Sequence, residues 1–204
     1  AGATLQLHRI PMKREAVPSG KHRWYRISIS GGLGGHSGVD INKGRCSAVI
    51  HFWALPTTVY NEYDFHLASI SIGEANASIA SKGEVVVCVH SGEAAQFVKE
   101  QEASMNEWLR EEYSADPNIS CSITKCEPLD SVIDGAAFEA LLACLEQIPQ
   151  GVVKMSEVMK DTVETSNNVG RIMTEEGYIL VSTHTRSFID ADMETLSREI
   201  SISR

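Results

Sequence analysis

The sequence YRISISGGLGGHSGVD, residues 25–40, carries the pattern that decides the fold. Tyr25, Ile27 and Ile29 alternate with polar residues, and this period of two is typical of a strand with one buried face. The strand runs directly into the glycine-rich loop GGLGGHSG of residues 31–38. Glycines at this density allow positive φ angles or a close approach of the backbone to a ligand. We therefore expect a sheet strand that leads into a loop able to contact a ligand.

The same reading extends to the rest of the chain. Alternating or short continuous apolar runs predict further strands at residues 65–72, 83–90, 119–124, 170–174 and 178–187. Apolar residues at helical spacing predict helices over residues 92–113, after a capping Asp134 and after a capping Asp190, and a rise in apolar content predicts a further helix between Gly44 and Pro56. A slip in the alternation within residues 65–72 predicts a bulge. Residues 1–20 are expected to form a turn or arm, and residues 151–168 an irregular stretch.

This order of elements predicts an α+β fold, an antiparallel sheet with helices packed on one face in two layers. The order is β-α-β-β-α-β over about residues 20–128 and α-β-β-α over about residues 129–204. We accordingly expect two sub-modules within one domain.

The composition excludes several classes of protein. With 204 residues and 43% hydrophobic residues, the chain can bury a substantial core. A net charge of −9 argues against binding to nucleic acid or to an anionic membrane surface. No apolar run reaches the length of about 18 residues that a membrane span needs. Five cysteines without a CxxC pair are expected to be reduced thiols, which favours a cytoplasmic location.

The glycine-rich loop matches neither of the common phosphate-binding patterns. Its spacing is wrong for a dinucleotide fingerprint, and no Gly-Lys-Ser/Thr sequence closes it. His36 lies at its centre between small residues, and the pattern leaves open whether this histidine is structural or functional. Ser37 follows it, but no nucleophile-elbow pattern surrounds this serine.

The remaining histidines give no metal motif in the sequence. They are scattered, and none forms an HExxH or comparable arrangement with ligand spacing: His8, His22, His51, His66, His90 and His184. The sequence therefore predicts no self-contained zinc site in this chain.

The strand at residues 178–187 presents a second candidate surface. Ser182, His184 and Arg186 share one face of this strand. A guanidinium binds a carboxylate through two parallel hydrogen bonds, so this face is a candidate carboxylate receptor. An ordinary exposed sheet face has the same pattern, and the spacing alone does not separate the two.

Several stretches together resemble bacterial aminoacyl-histidine dipeptidases, which are Xaa-His, carnosinase-like enzymes. They occur in the same order and span nearly the whole chain: PMKREAVPSG at residues 11–20, GGLGGHSGVDI at residues 31–41, PQGVVKMS at residues 149–156, VETSNNVG at residues 163–170 and TRSFID at residues 185–190. The GGHSG-type loop is common to the wider family of dinuclear-zinc aminoacylases and dipeptidases, whereas VETSN is specific to this branch.

The resemblance implies an architecture. In this family a catalytic domain that holds two zinc ions is interrupted in sequence by an inserted lid domain, which in many relatives also forms the dimer. Residues 1–204 resemble the lid alone, and the family's zinc ligands and general-base glutamate belong to flanking segments. The resemblance thus implies no cofactor in this chain, two zinc ions in the catalytic domain, and no activity for the lid by itself.

The resemblance also implies roles for three residues during attack of a zinc-activated water on a dipeptide. His36 stabilises the oxyanion, Arg186 holds the terminal carboxylate, and Asn76 lines the substrate site. After Asn76 the sequence ASIAS, residues 77–81, replaces the proline and charged residues of the family. The expected partners are the dipeptide, the catalytic domain and, in a homodimer, a second copy. The alternative is a stand-alone binding or dimerisation module without catalytic activity.

Overall fold

The computed structural model describes residues 2–50 and 63–202. In chain order, the described strands are β1 (Gly2–Pro11), β2 (Arg14–Ala16), β3 (His22–Ser30), β4 (Gly35–His36), β5 (Phe65–Ile72), β6 (Ser78–Ile79), β7 (Gly83–His90), β8 (Ser120–Lys125), β9 (Ser131–Ile133), β10 (Gly151–Met155), β11 (Val163–Glu175) and β12 (Tyr178–Ser187). The long helices in this part of the chain are α1 (Ala94–Glu112), α2 (Gly135–Gln147) and α3 (Asp190–Ile202).

One large antiparallel sheet organises the molecule. Its strand order is β1-β12-β11-β5-β7-β3-β8, and β10 pairs with β11 beside this path. Every strand pair in the described ranges is antiparallel. The predicted α+β class is confirmed. The two predicted sub-modules contribute to this same sheet, since β11 pairs with β5, and their division near residue 128 stays a prediction.

The main core lies between the sheet and the helices. Tyr25, Ile27 and Ile29, the apolar positions of β3, pack in one cluster with Phe97 of α1 and Phe138 of α2. The Tyr25 and Phe97 rings lie 6.2 Å apart between centroids. Burying each such side chain contributes about 1.5–3 kcal/mol. The alternation in β3 therefore selects the face that the helices cover.

Two local predictions are confirmed in detail. The pairing of β5 with β7 shifts register between Leu67 and Ser69, where the sequence predicted a bulge. Asp134 caps α2, because its side chain accepts a hydrogen bond from the backbone N–H of Ala137 at 3.0 Å. The cap satisfies one of the N–H groups that a helix start leaves unpaired.

Two segments differ from the sequence prediction. Residues 1–20 were expected to form an arm, but β1 pairs with β12 along its whole length. In β1 the exposed residues include Leu5 and Leu7, whereas Gln6 is partly buried and donates to the carbonyl of Ser197 on α3. The usual apolar-in pattern is inverted there, so hydrophobic alternation did not indicate the strand.

Residues 151–168 were expected to be irregular, yet they contain β10 and the first half of β11. Ser166, Asn167 and Asn168 are buried together. The side-chain amides of both asparagines are hydrogen-bonded within the structure: Asn167 donates to the carbonyl of Pro149 at 2.7 Å, and Asn168 donates to the carbonyl of Ser78 at 2.8 Å. A strand buried through hydrogen-bonded polar groups carries no apolar signal.

One predicted helix lies mostly outside the described residues. Residues 48–50 are helical, and the remainder up to Pro56 falls in the range 51–62. Within the described ranges, no helix has both the length and the apolar character needed to cross a membrane.

Candidate functional site

The glycine-rich loop is fixed against the segment that follows β5. His36 in β4 pairs with Ser78 in β6, and the backbone N–H of Ser37 donates to the carbonyl of Ala77 at 3.0 Å. Gly35 has φ +133°, and a Cβ there would lie 2.3 Å from the Arg45 guanidinium. Any other residue at this position would therefore have a strained backbone, and its Cβ would clash with Arg45.

Asp40 holds the loop in shape. Its carboxylate accepts the backbone N–H of His36 at 2.8 Å and pairs with Lys43 at 2.7 Å. Arg45 lies 3.4 Å from the same carboxylate. The hydrogen bond from Lys43, followed by the one from the His36 backbone, lowers the pKa of Asp40 below its ordinary value of 3.8. Asp40 is thus a carboxylate near neutral pH and can accept all of these contacts.

The His36 imidazole is oriented by its own loop. Its Nδ1 accepts the backbone N–H groups of Gly38 and Val39, both at 3.2 Å. A neutral imidazole carries one N–H, so acceptance at Nδ1 assigns the proton to Nε2. The residue is exposed. His36 therefore offers an N–H donor, held in one tautomer, at the surface of the loop.

Arg186 in β12 lies beside this loop. Its Nε donates to the hydroxyl of the buried Ser37 at 3.1 Å, and its Nη2 donates to Nδ1 of His184 at 3.5 Å. No ion pair of Arg186 with an acidic residue occurs within residues 2–50 and 63–202. A partly buried guanidinium without a carboxylate partner is suited to bind an anionic ligand.

Gly38 brings the two groups together. A Cβ at Gly38 would lie 2.8 Å from Cδ of Arg186 and 3.3 Å from Cε1 of His36. The absence of a side chain there lets the loop backbone fit between the guanidinium stem and the imidazole. The structure therefore juxtaposes the two residues that sequence reasoning had singled out separately.

His184 is kept neutral by its surroundings. Its partial burial lowers its pKa below the ordinary value of 6.5, and the charge of Arg186 lowers it further. A neutral His184 can accept a hydrogen bond from Arg186 without opposing its charge. This histidine shares the Arg186 face of β12, as the alternation predicted.

The loop and the ends of β11 and β12 enclose a cleft of about 410 Å³. Its lining includes His36 and Gly38 of the loop, Glu164 of β11, Arg186 of β12 and Phe188 after β12. The size falls within the range of small-molecule sites, about 300–1,000 Å³. Glu164 does not neutralise the cleft by itself, because its carboxylate lies 2.5 Å from the Lys154 ammonium. This hydrogen bond raises the pKa of Lys154.

Asn76 does not line this cleft. Its side-chain oxygen accepts a hydrogen bond from the Ser182 hydroxyl at 2.8 Å. Its backbone carbonyl lies against Gly170, where a Cβ would approach to 2.3 Å. The substrate-binding role expected for Asn76 stays a prediction, while the observed contacts fix the segment that pairs with the His36 loop.

The residues that support His36 and Arg186 were not predicted from the sequence. Ser37 had been weighed only as a nucleophile, and the structure shows its hydroxyl bound to Arg186. Gly38 is one glycine among several in the sequence, and its proximity to Arg186 depends on the fold. A small residue next to each candidate was the signal present in the sequence, but the spacing could not show which partner it faces.

The residues around the cleft do not fit a pair of zinc ions. His36 Nδ1 accepts two backbone N–H groups, Glu164 is paired with Lys154, and Arg186 is a cation. The chemistry that these residues offer is hydrogen-bond donation and anion binding.

The fold and the cleft together define the class: this is an α+β domain with a candidate anion-binding site beside its glycine-rich loop. No protein-family model matches the chain. The chain is similar to the cytosol non-specific dipeptidase of Escherichia coli (strain K12), with 26% identity over 192 residues. That match covers 92% of this chain and 38% of the relative.

The crystal structure of aminoacylhistidine dipeptidase from Vibrio alginolyticus matches the fold with a TM-score of 0.91 and 26% identity. It covers 99% of this chain and 42% of that chain. The chain is therefore related to dipeptidases along nearly its whole length, and it spans about two fifths of theirs. The resemblance inferred from the GGHSG, VETSN and TRSFID stretches is confirmed.

Proposed function

We propose that this chain is the lid of a peptide hydrolase that cleaves Xaa-His-type dipeptides. The proposal rests on one juxtaposition in one cleft, the Nε2–H donor of His36 and the guanidinium of Arg186, which has no acidic partner among the described residues. The relationship to dipeptidases supports the class of reaction. A dipeptide has a terminal carboxylate close to its scissile carbonyl, so a short molecule can reach both groups at once.

In this proposal Arg186 anchors the substrate. The guanidinium binds the terminal carboxylate, and the hydrogen bond from Nε to Ser37 fixes the orientation of its plane. His184 accepts from one Nη group as a neutral base and leaves the positive charge for the ligand. Two parallel hydrogen bonds to a carboxylate give both affinity and direction.

His36 acts on the transition state. When a nucleophile adds to the scissile carbonyl, negative charge develops on the oxygen, and Nε2–H donates a hydrogen bond to it. The donor is oriented in advance by Gly38 and Val39, so little reorganisation is needed as the charge grows. The imidazole strengthens its contact in the transition state, which raises kcat more than it lowers KM.

The remaining parts of the proposal concern the whole protein. The nucleophile, its base and two zinc ions would come from segments outside the region of similarity, and the chain alone would not hydrolyse dipeptides. The name of the Escherichia coli relative supports a cytoplasmic location.

The test of the proposed function is Arg186→Ala in the complete protein, assayed on a dipeptide and on its C-terminal amide. Loss of one partner of a desolvated charge pair costs about 2–5 kcal/mol. We expect the activation free energy that corresponds to kcat/KM to rise by that amount for the free dipeptide and by far less for the amide. Arg198→Ala, at an exposed arginine of α3, is the matched control and should leave both substrates unaffected. Equal losses on both substrates would remove the anchor role.

A second candidate, a binding or dimerisation module without catalysis, is favoured by β1. This strand lies at the edge of the described sheet and exposes Leu5 and Leu7. An exposed edge strand can pair with a second copy. The same assay separates the candidates, because a module without catalysis leaves the complete protein inactive on both substrates.

A further inference from the structure

Three metal-ligating side chains meet at the opposite end of β3 from the glycine-rich loop. His22 is the first residue of β3, Asp64 directly precedes β5, and His66 lies in β5. Their convergence follows from strand register. His22 pairs with His90 in β7, and the backbone N–H of His90 donates to the carbonyl of Asp64 at 3.0 Å. Asp64 and His66 are two residues apart along a strand, so their side chains point to the same face.

The distances suit coordination of a single ion. Nε2 of His66 lies 3.0 Å from one oxygen of Asp64, and Nε2 of His22 lies 4.0 Å from the other. One donor atom from each residue falls within 4.8 Å of the others. Ligand atoms at about 2.0–2.1 Å from a tetrahedral zinc ion lie about 3.3 Å from each other. The observed separations bracket that value, so small side-chain rotations bring the three donors onto one centre.

The state of His22 points to a ligand. Its side chain is only 3% exposed, and neither ring nitrogen has a hydrogen-bond partner within the described residues. A buried polar atom without a partner is costly, and nearly all such atoms in folded proteins are satisfied. His66 and Asp64 are 31% and 54% exposed at their side chains. The group is therefore buried on the His22 side and open to solvent on the other, which gives an ion a route of entry.

We propose that His22, Asp64 and His66, here called the histidine–aspartate cluster, bind one zinc(II) ion. The two imidazoles donate nitrogen lone pairs, and the carboxylate donates an oxygen and one negative charge. The ion satisfies His22 and links β3 to β5 across the intervening strand β7. Water completes the coordination on the exposed side.

The donor set selects the class of metal. Two imidazoles and a carboxylate suit zinc and neighbouring transition metals, whereas calcium and magnesium require mainly oxygen ligands. His90 faces His22 with its ring at 5.9 Å between centroids, but its Nδ1 accepts the backbone N–H of Gly92 at 3.3 Å. That bond assigns the His90 proton to Nε2, and His90 is not counted as a ligand.

This proposal revises the sequence expectation that the chain has no zinc site. The search for paired histidines along the sequence passed over Asp64-Phe65-His66, an Asp-x-His pair that only a strand turns to one face. The third ligand, His22, comes from a strand that is not adjacent to β5 in the sheet. No short sequence window contains the set.

The experiment is calorimetric titration of zinc(II) into the chelator-treated 204-residue chain, with excess magnesium present. We expect one equivalent to bind with a dissociation constant of about 1 μM or lower. Loss of a residue that only hydrogen-bonds to a metal ligand lowers metal affinity by about 10–100-fold. Loss of a ligand itself, in His66→Ala or Asp64→Ala, should lower the affinity for zinc by at least that factor. Cobalt(II) should bind in place of zinc and give visible absorption bands that His66→Ala abolishes.

Two matched variants serve as controls. His36→Ala removes an exposed histidine from the glycine-rich loop beyond the other end of β3, and Asp130→Ala removes an exposed aspartate. Both should keep the affinity of the unaltered chain. Because His22 is buried, its variant could misfold, and the decision rests on His66 and Asp64 with folding checked by circular dichroism. Absence of a one-equivalent site, or equal affinities for His66→Ala and His36→Ala, overturns the proposal.

Discussion

His22 begins β3, His36 lies in the glycine-rich loop beyond the other end of that strand, and the two are held in opposite ways. His36 is exposed, and two backbone N–H groups saturate its Nδ1. His22 is enclosed, and neither of its nitrogens has a hydrogen-bond partner within the described residues. One strand thus connects a histidine whose tautomer is fixed to one whose nitrogens are both available.

The hydrogen bonds around each histidine determine which chemistry its ring nitrogens can perform. Fixing Nδ1 as an acceptor makes His36 a permanent donor at Nε2 and prevents it from ligating a metal through Nδ1. Because neither nitrogen of His22 has a hydrogen-bond partner in the part of the chain that the structure describes, a lone pair is available for an ion, with an aspartate 4.0 Å away. Hydrogen-bond partners therefore assign the chemistry of each imidazole more strongly than residue type does.

The largest expected effect comes from His36→Ala in the complete protein. Removing one oxyanion donor lowers kcat by about 10²–10³-fold, and we expect that loss with little change in melting temperature. His90→Ala removes an exposed histidine at the other end of the sheet and should leave kcat within about twofold, as surface substitutions usually do. Steady-state kinetics and thermal unfolding on both variants provide the measurement.

A different result would contradict the catalytic role of His36. If His36 only shapes its loop, His36→Ala lowers the melting temperature and leaves turnover near normal. The contrast between the two ends of β3 would then concern stability alone.

The next largest effect is expected for Gly38→Ala, which tests the juxtaposition without removing either functional group. The added Cβ would lie 2.8 Å from Arg186 and 3.3 Å from His36, so one of them must shift. Displacement by about 1 Å can cost up to about 100-fold in rate, and we expect kcat/KM to fall by about 10–100-fold.

Gly135→Ala is the matched control for that change. Gly135 begins α2, and its Cβ position has no neighbour within 4 Å. Activity should be unaltered, and helix stability should rise slightly, because alanine is favoured over glycine in helices by up to about 1 kcal/mol. A normal kcat/KM for Gly38→Ala would show that the contact with Arg186 and His36 is irrelevant to turnover.

The sequence predicted elements better than it predicted contacts. The alternation of Tyr25, Ile27 and Ile29 indicated β3 and the face that the helices cover, because burial of apolar groups follows local periodicity. β1 and the first half of β11 were not predicted, because buried or partly buried polar residues replace apolar ones there. Gln6 and Asn167 form hydrogen bonds with carbonyls of residues that are not their sequence neighbours. The loop and strand patterns singled out His36 and Arg186, the resemblance implied their roles, and only the fold shows that Gly38 lies between them.

The smallest effect is expected for Ser37→Ala, and it sharpens the assignment of this site. Ser37 is fully buried, and its hydroxyl accepts a hydrogen bond from Nε of Arg186 at 3.1 Å. Removing it leaves the guanidinium and the imidazole in place and releases one constraint on the orientation of Arg186. A hydrogen bond to a charged group contributes about 1.5–3 kcal/mol, part of which the mobile guanidinium recovers from water. We therefore expect KM to rise by about five- to tenfold with kcat nearly unchanged, because the carboxylate anchor contributes to ground state and transition state alike.

If Ser37 were a nucleophile, kcat would collapse instead, and the loss would exceed that of His36→Ala. Ser47→Ala is the matched control, since Ser47 is also buried but its hydroxyl has no hydrogen-bond partner within the described residues. A rise in KM for Ser37→Ala alone identifies the serine as the residue that orients Arg186, and equal behaviour of the two serine variants removes that role.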